Sequence, residues 1–317
     1  MKENTKTQQN NNILFLGHGY VAQYFCKSYH LDSFDIGVSI NKSKDKYFKT
    51  PNNVKTIKFS EIDSSVLDNY HNFVISIPPF YQLKTDIIID KFYNYFLKRQ
   101  TPYKLIYLSA TSVYGNHNGK KVQENSELKA KSTNGLARIE CEKKYLQLQQ
   151  TEETTQKPDE SRDINQLTEK QLANIIILRL AGIYGNKRNK ILSIQNKELT
   201  HNKSSNKLIS RAHVADIAAI IKEIILSSKI KNEIFNIADN QPSTTNEVNN
   251  YICEALLKID KLPISDDVTE YRHSSFALDN KIVDNEKLKK ILNYKFIFPS
   301  YKEGFIHIAK ELNLTLT

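Results

Sequence analysis

The sequence predicts an α/β protein: a doubly wound parallel sheet covered by helices on both faces, followed by a smaller C-terminal subdomain. Three observations carry this. Short apolar runs recur along the chain as uninterrupted stretches, the signature of strands buried on both faces. They alternate with longer helix-patterned stretches, which act as crossovers that keep successive strands parallel. Beyond about residue 239 the alternation stops and helix patterns alone remain. With 317 residues, 39% of the composition hydrophobic and 25% charged, the chain can bury a real core and lacks the low hydrophobicity of a disordered one.

In order along the chain, a polar leader occupies 1–12 and is followed by Ile13-Leu14-Phe15-Leu16, an apolar run that ends at Gly17 and reads as the first strand. A helix pattern covers 20–30. Further strands are expected at 36–40, 54–59, 73–77, 104–109 and 174–180, with the last at 233–238. Helices are expected at 85–98, 135–149 and 214–226. At about 150–171 the composition turns to Gln, Glu, Thr, Lys and Asp, with only Ile164 and Leu167 apolar. Such a segment cannot build a core; it reads as a mobile surface insert or a regulatory interaction segment. The sheet domain therefore runs from 13 to 238 and the C-terminal subdomain from 239 to 317, with helix patterns near 244–258, 284–292 and 300–312.

Several function classes are disfavoured. No segment approaches the ~18 uninterrupted apolar residues of a membrane span, and the leader is polar where a secretory leader would be apolar. Cys26, Cys141 and Cys253 are odd in number and far apart, so neither a disulfide framework nor a zinc site is expected and a cytoplasmic protein fits best. The histidines show no ligand spacing, and no metal is proposed. The formal charge is +10, but the lysines are scattered singly or in pairs, as at Lys120, Lys121, Lys289 and Lys290. That suits a solvated surface or an anionic small-molecule partner better than nucleic acid, and it leaves a homodimer open.

Gly17-His18-Gly19-Tyr20-Val21-Ala22 fits G-x-G-x-x-[GA] between the first strand and an amphipathic helix. In that context Gly17 permits the tight turn, Gly19 lets the backbone approach a pyrophosphate, and Ala22 lets helix and strand pack closely. The pyrophosphate would rest on the helix N-terminus. An NAD site places an Asp or Glu about 20 residues further on, at the tip of the second strand, to bond the ribose hydroxyls. Here the tip reads Ser39-Ile40-Asn41-Lys42-Ser43-Lys44, without an acid. Ser39, Asn41, Lys42 and Lys44 suit a 2′-phosphate, so NADP is preferred over NAD; the alternative is that the lysines are only solvated.

GHGYVA, SIPP at 76–79 with Ser76 and Pro78, LSATSVYG at 108–115, RLAGIYGNKRN at 179–189, RAHVADIA at 211–218 and FNIADNQP at 235–242 together resemble the extended short-chain dehydrogenase/reductase superfamily, nearest its atypical NAD-dependent epimerase/dehydratase-like members. The resemblance implies a Rossmann domain, a cleft for a small carbonyl, alcohol or nucleotide-sugar substrate, and oxidoreductase or epimerase chemistry. It also implies that a Ser or Thr polarises the substrate oxygen and that a Tyr with a Lys four residues on passes the proton. Those positions hold Ala110, Asn134 and Arg138, and Glu142 matches a Glu common in the family. No shifted copy exists, because none of the 17 tyrosines is followed four residues later by Lys. Asn134 cannot exchange a proton near neutral pH, while Arg138 stays charged and is fit to hold ribose or phosphate. Ser109, Thr111, Ser112 and Tyr114 are the neighbouring candidates for the chemistry, with strand-end packing or turn hydrogen bonds as their alternative role. Arg188 and Arg211 could meet an anionic substrate; so could Arg179, unless it is paired within the structure. His213 and Asp216 read first as capping and packing residues. A catalytically silent dinucleotide sensor or assembly protein is the alternative function.

Overall fold

The computed structural model describes residues 11–41, 46–149, 172–195, 207–258 and 279–314. The leader up to residue 10, the insert at 150–171, Lys42 and Lys44 lie outside them. The first half runs β1 (Asn12–Leu16), α1 (Tyr20–Tyr29), β2 (Asp35–Ile40), β3 (Lys55–Lys58), α2 (Ser64–Asp68), β4 (Asn72–Ile75), α3 (Ile87–Lys98), β5 (Tyr103–Ala110), β6 (Lys121–Val122) and α4 (Thr133–Gln147). There follow β7 (Ala173–Leu180), β8 (Gly182–Tyr184), α5 (Lys190–Gln195), β9 (Arg211–His213), α6 (Val214–Leu226), β10 (Ile234–Ile237), α7 (Thr245–Tyr251), β11 (Ile282–Val283), α8 (Glu286–Leu292) and α9 (Tyr301–Glu311).

Seven parallel strands form the main sheet in the order β3-β2-β1-β4-β5-β7-β10. The chain builds outward from β1 to β3 and then returns to the other side of β1, so the winding reverses between β1 and β4. At such a switch point the two crossovers diverge and leave a crevice beyond the C-terminal strand ends. β1 shows why its run is continuously apolar: Ile13 and Phe15 face one core and Leu14 and Leu16 the other. The first core takes Phe25 from α1 and Ile217 and Ile221 from α6; the second takes Phe92 and Phe96 from α3 and Tyr145 from α4. Asp86 starts α3 by accepting from the N–H groups of Ile88 and Ile89, both at 2.9 Å.

The C-terminal part is interlaced with the main domain. A third core joins Ile191 and Ile194 of α5 to Val248 of α7 and to Phe305 and Ile308 of α9, so it draws on chain from both sides of residue 239. Leu288 of α8 belongs instead to the first core of the sheet. β8 pairs with β9, and β6 with β11, as separate two-stranded parallel ladders. No described helix is long and apolar enough to cross a membrane.

Candidate functional site

The glycine turn sits at the switch point. Gly17 has φ +111°, and a Cβ there would lie 2.7 Å from Ser76 Oγ and 2.8 Å from Ile77 Cγ1. The turn is braced from two strands: Gly17 N–H donates to Ser39 Oγ at 2.7 Å, and Ser76 Oγ donates to the Gly17 carbonyl at 2.9 Å. Gly19 caps α1 with no side-chain hydrogen bond, and a Cβ on it would meet nothing within 4 Å. The first N–H groups of α1 thus remain open to an anion. Ala22 is fully buried and lets α1 lie close to the sheet.

Two hollows meet at this turn. One is lined by Gly17, His18, Gly19, Ser39, Asn41, Ser76 and Pro78, at the tip of β2. The other is a cleft of about 830 Å³ that shares His18, Gly19 and Ser76 and continues past Tyr20 and Val21. Its walls hold Ser109, Ala110, Thr111, Ser112, Asn134, Arg138 and Arg188. Arg138 Nε donates to Asn134 Oδ1 at 3.2 Å and Nη1 to the Leu108 carbonyl at 2.9 Å. The pair therefore fastens the N-terminal end of α4 to the end of β5, beside Ala110.

Other sequence candidates are spent elsewhere. Ser39 is buried and braces Gly17 by accepting from its N–H, while it also lines the hollow at the tip of β2. Ser109 donates to Glu142 Oε1 at 2.5 Å, and Glu142 pairs with Arg179 at 2.8 Å inside the protein. Tyr114 is fully buried; it donates to Asn236 Oδ1 at 2.7 Å and accepts from Arg179 Nη1 at 2.9 Å. It is absent from the cleft wall, and burial pushes its phenol up to about 12 against the pull of Arg179. The Ser112 hydroxyl is buried without a partner. Arg211 donates to the carbonyls of Ile209 and Ser243 and to Ser243 Oγ, and does not line the cleft. His213 caps α6 by accepting from Ala215 N–H at 3.2 Å, and burial draws its imidazole down to about 3. Asp216 accepts from the Tyr294 hydroxyl and from the N–H groups of Ile297 and Phe298.

The structure adds residues that no local motif marks. Gln23, buried in α1, donates to the His18 carbonyl at 2.8 Å and accepts from the N–H groups of Tyr47 and Phe48 at 2.8 and 2.9 Å. It ties the glycine turn to the segment that follows β2. Lys46, Tyr47, Asp279 and Lys281 also line the larger cleft.

The fold is shared with solved structures of distant sequence. A functionally unknown conserved protein from Silicibacter pomeroyi DSS is 20% identical, with a TM-score of 0.76 over 95% of this chain and 99% of that one. UDP-glucuronic acid 4-epimerase from Bacillus cereus, solved with UDP-glucuronic acid and NAD, is 14% identical, with a TM-score of 0.72 over 95% and 99%. dTDP-glucose 4,6-dehydratase from Bacillus anthracis str. Ames, solved with NAD, is 16% identical, with a TM-score of 0.70 over 95% and 96%. At these identities the likeness shows the Rossmann-type fold. No protein-family model matches the chain, and no curated protein does.

The residues present fit a dinucleotide. A positive-φ glycine, an uncapped helix N-terminus and open space at Gly19 stand where two hollows join. Among the described residues no group of three His, Cys, Asp or Glu is placed to hold a metal ion.

Proposed function

We propose that this chain is a cytoplasmic, epimerase/dehydratase-like member of the extended short-chain dehydrogenase/reductase superfamily that holds NADP, or NAD, along the two joined hollows. In this reading it acts on a small carbonyl or alcohol substrate without the usual Tyr and Lys. The observation that carries the reading is the run of hollow from Asn41 across Gly17 and Gly19 to Asn134 and Arg138. Two of the solved structures of this fold hold NAD, one of them together with UDP-glucuronic acid, which supports the same use of the fold.

When bound, the dinucleotide supplies the hydride acceptor or donor. The α1 N-terminus would hold its pyrophosphate, and the hollow at Asn41, Ser76 and Pro78 its adenosine half. The NADP preference rests on Asn41, where an acid would otherwise bond the ribose and repel a 2′-phosphate. Asn134 offers an amide that can orient a substrate oxygen but cannot give it a proton. Arg138, held on Leu108, keeps a fixed positive charge beside the site. Neither supplies general acid catalysis, which is typically worth about 10²–10⁴-fold, so ordinary carbonyl reduction should be slow.

Ala110→Ser, Asn134→Tyr and Arg138→Lys made together should raise turnover on some member of a carbonyl panel, while each alone does little, because such groups act as a unit. Fast turnover by the unmodified protein that survives Asn134→Ala and Arg138→Ala would sink the account. The Asn134–Arg138 bond favours a second reading, a silent sensor of dinucleotide occupancy. Tight binding with no turnover in either the unmodified or the triple variant would select it.

A further inference from the structure

One anchored cation in the cleft is accounted for by neither the glycine turn nor the Asn134–Arg138 pair. Lys281 lines the cleft just before β11, with its side chain only 11% exposed. Its Nζ donates to the Gly115 carbonyl at 3.1 Å and to Asp279 Oδ2 at 3.3 Å. The backbone beneath it is held: the Asn280 carbonyl accepts from His117 N–H and Gly119 N–H, both at 3.0 Å, and Ile282 N–H donates to the Lys120 carbonyl at 3.1 Å. An ammonium has three donors, and two are committed here, which leaves one without a hydrogen bond among the described residues.

The charges around it are unbalanced. Lys46, Arg138, Arg188 and Lys281 line the cleft, against Asp279 as the one carboxylate among the described lining residues. A cleft with one sign of charge in low-dielectric walls focuses its field and gathers the opposite sign. The guanidinium of Arg188 makes no hydrogen bond to a described residue. Arg138 belongs with the dinucleotide, whereas Lys281 stands beside β11, on a different element from the pyrophosphate seat at α1, and its charge is left for another anion.

We infer that Lys281 is the anchor for an oxyanion carried by the substrate, a carboxylate or a phosphate, with Arg188 as the second cation of the same cleft. Asp279 holds the ammonium in place from one side, and the ligand takes the donor on the other. Burial draws the Lys281 pKa down, opposed by Asp279; an incoming anion supplies the missing counter-charge. This rests on the reading of the cleft as the substrate site beside the dinucleotide.

The test is saturation-transfer NMR with three probes, pyruvate, its neutral methyl ester and UDP, on the unmodified protein, Lys281→Met, Lys281→Arg and Arg188→Ala. NADPH affinity is measured in parallel by calorimetry. Pyruvate or UDP should bind the unmodified protein and weaken by about 10-fold or more in Lys281→Met. Lys281→Arg, which keeps the charge, should retain most of the affinity. Arg188→Ala should show a smaller loss from an exposed position, and the methyl ester should show no dependence on Lys281. Whichever anion binds identifies its source, a small acid or a nucleoside diphosphate. The inference is overturned if neither anion binds the unmodified protein, or if both bind Lys281→Met and Arg188→Ala as tightly as the parent. Anion binding that depends on Lys281, without any NADPH binding, would remove the dinucleotide reading and leave this one standing.

Discussion

Gly17 and Gly19 stand two residues apart and should fail in opposite ways when a side chain is added. At Gly17, φ is +111°, and a Cβ would lie 2.7 Å from Ser76 Oγ, 2.8 Å from Ile77 Cγ1 and 3.0 Å from Ile77 N. Left-handed backbone costs an ordinary residue about 1–2 kcal/mol, and forcing atoms into a packed site costs about 1–3 kcal/mol more. Gly17→Ala should therefore destabilise the fold by about 2–5 kcal/mol. At Gly19 the backbone has φ −79° and the Cβ direction is empty. Gly19→Val should cost only about 1 kcal/mol of stability, as a weaker helix cap. Its side chain, however, occupies the space over the α1 N-terminus, where a pyrophosphate would accept backbone hydrogen bonds. Losing charge-assisted bonds of that kind should weaken NADPH and NADH by roughly 10- to 100-fold. Urea denaturation reads the first quantity and calorimetry the second. Gly17→Ala as stable as the parent would refute the conformational argument, and a folded Gly19→Val with undiminished affinity for both dinucleotides would remove the turn as the pyrophosphate seat.

Three further outcomes are expected. Asn41→Asp puts a carboxylate at the tip of β2 and should shift the preference toward NADH by at least about tenfold, since an acid there bonds ribose hydroxyls and repels a 2′-phosphate; an unchanged NADPH-to-NADH affinity ratio would count against that hollow as the adenosine site. Glu142→Gln leaves the Arg179 charge buried and uncompensated, because the two side chains are 3% and 4% exposed; the loss should be about 3–5 kcal/mol in urea denaturation, and a loss below 1 kcal/mol would show the pair to be dispensable. Burial raises the Asp239 carboxyl to about 7, above its unfolded value near 3.9, so between about pH 4 and 7 the native state binds a proton that the unfolded state has released. The stabilising contribution is full below about pH 4 and is lost as pH rises through 7, by up to about 4 kcal/mol. Asp239→Asn should flatten that decline in denaturation midpoints taken from pH 4.5 to 8, and an identical slope in the two proteins would refute it.

The elements were legible because each rests on a pattern within a few residues. The run Ile13 to Leu16 is apolar at every position because both faces of β1 are covered, and the helix expected at 214–226 is α6, Val214–Leu226. The glycine turn was readable for the same reason: a tight bend between a strand and a helix needs Gly at a fixed spacing, and Gly17 has the positive φ that the pattern implies. Ala110, Asn134 and Arg138, far apart in the chain, line one cleft because α4 packs against β5 and Arg138 is bonded to Leu108.

What the sequence left open was the direction and company of individual polar side chains. Ser39, read as a phosphate ligand, also accepts from the Gly17 N–H at 2.7 Å, a partner at the end of another strand that no local pattern marks. Tyr114 and Ser109 are drawn inward by Asn236, Arg179 and Glu142, partners far away in the chain. Lys281 reaches the cleft only because β11 pairs with β6, about 160 residues earlier in the sequence. Local sequence determined where the backbone turns, since apolar periodicity and turn chemistry act between neighbours. Tertiary structure alone decided which polar groups are satisfied internally and which remain free to meet a ligand, since each hydrogen bond depends on residues that the chain brings together only when the sheet closes.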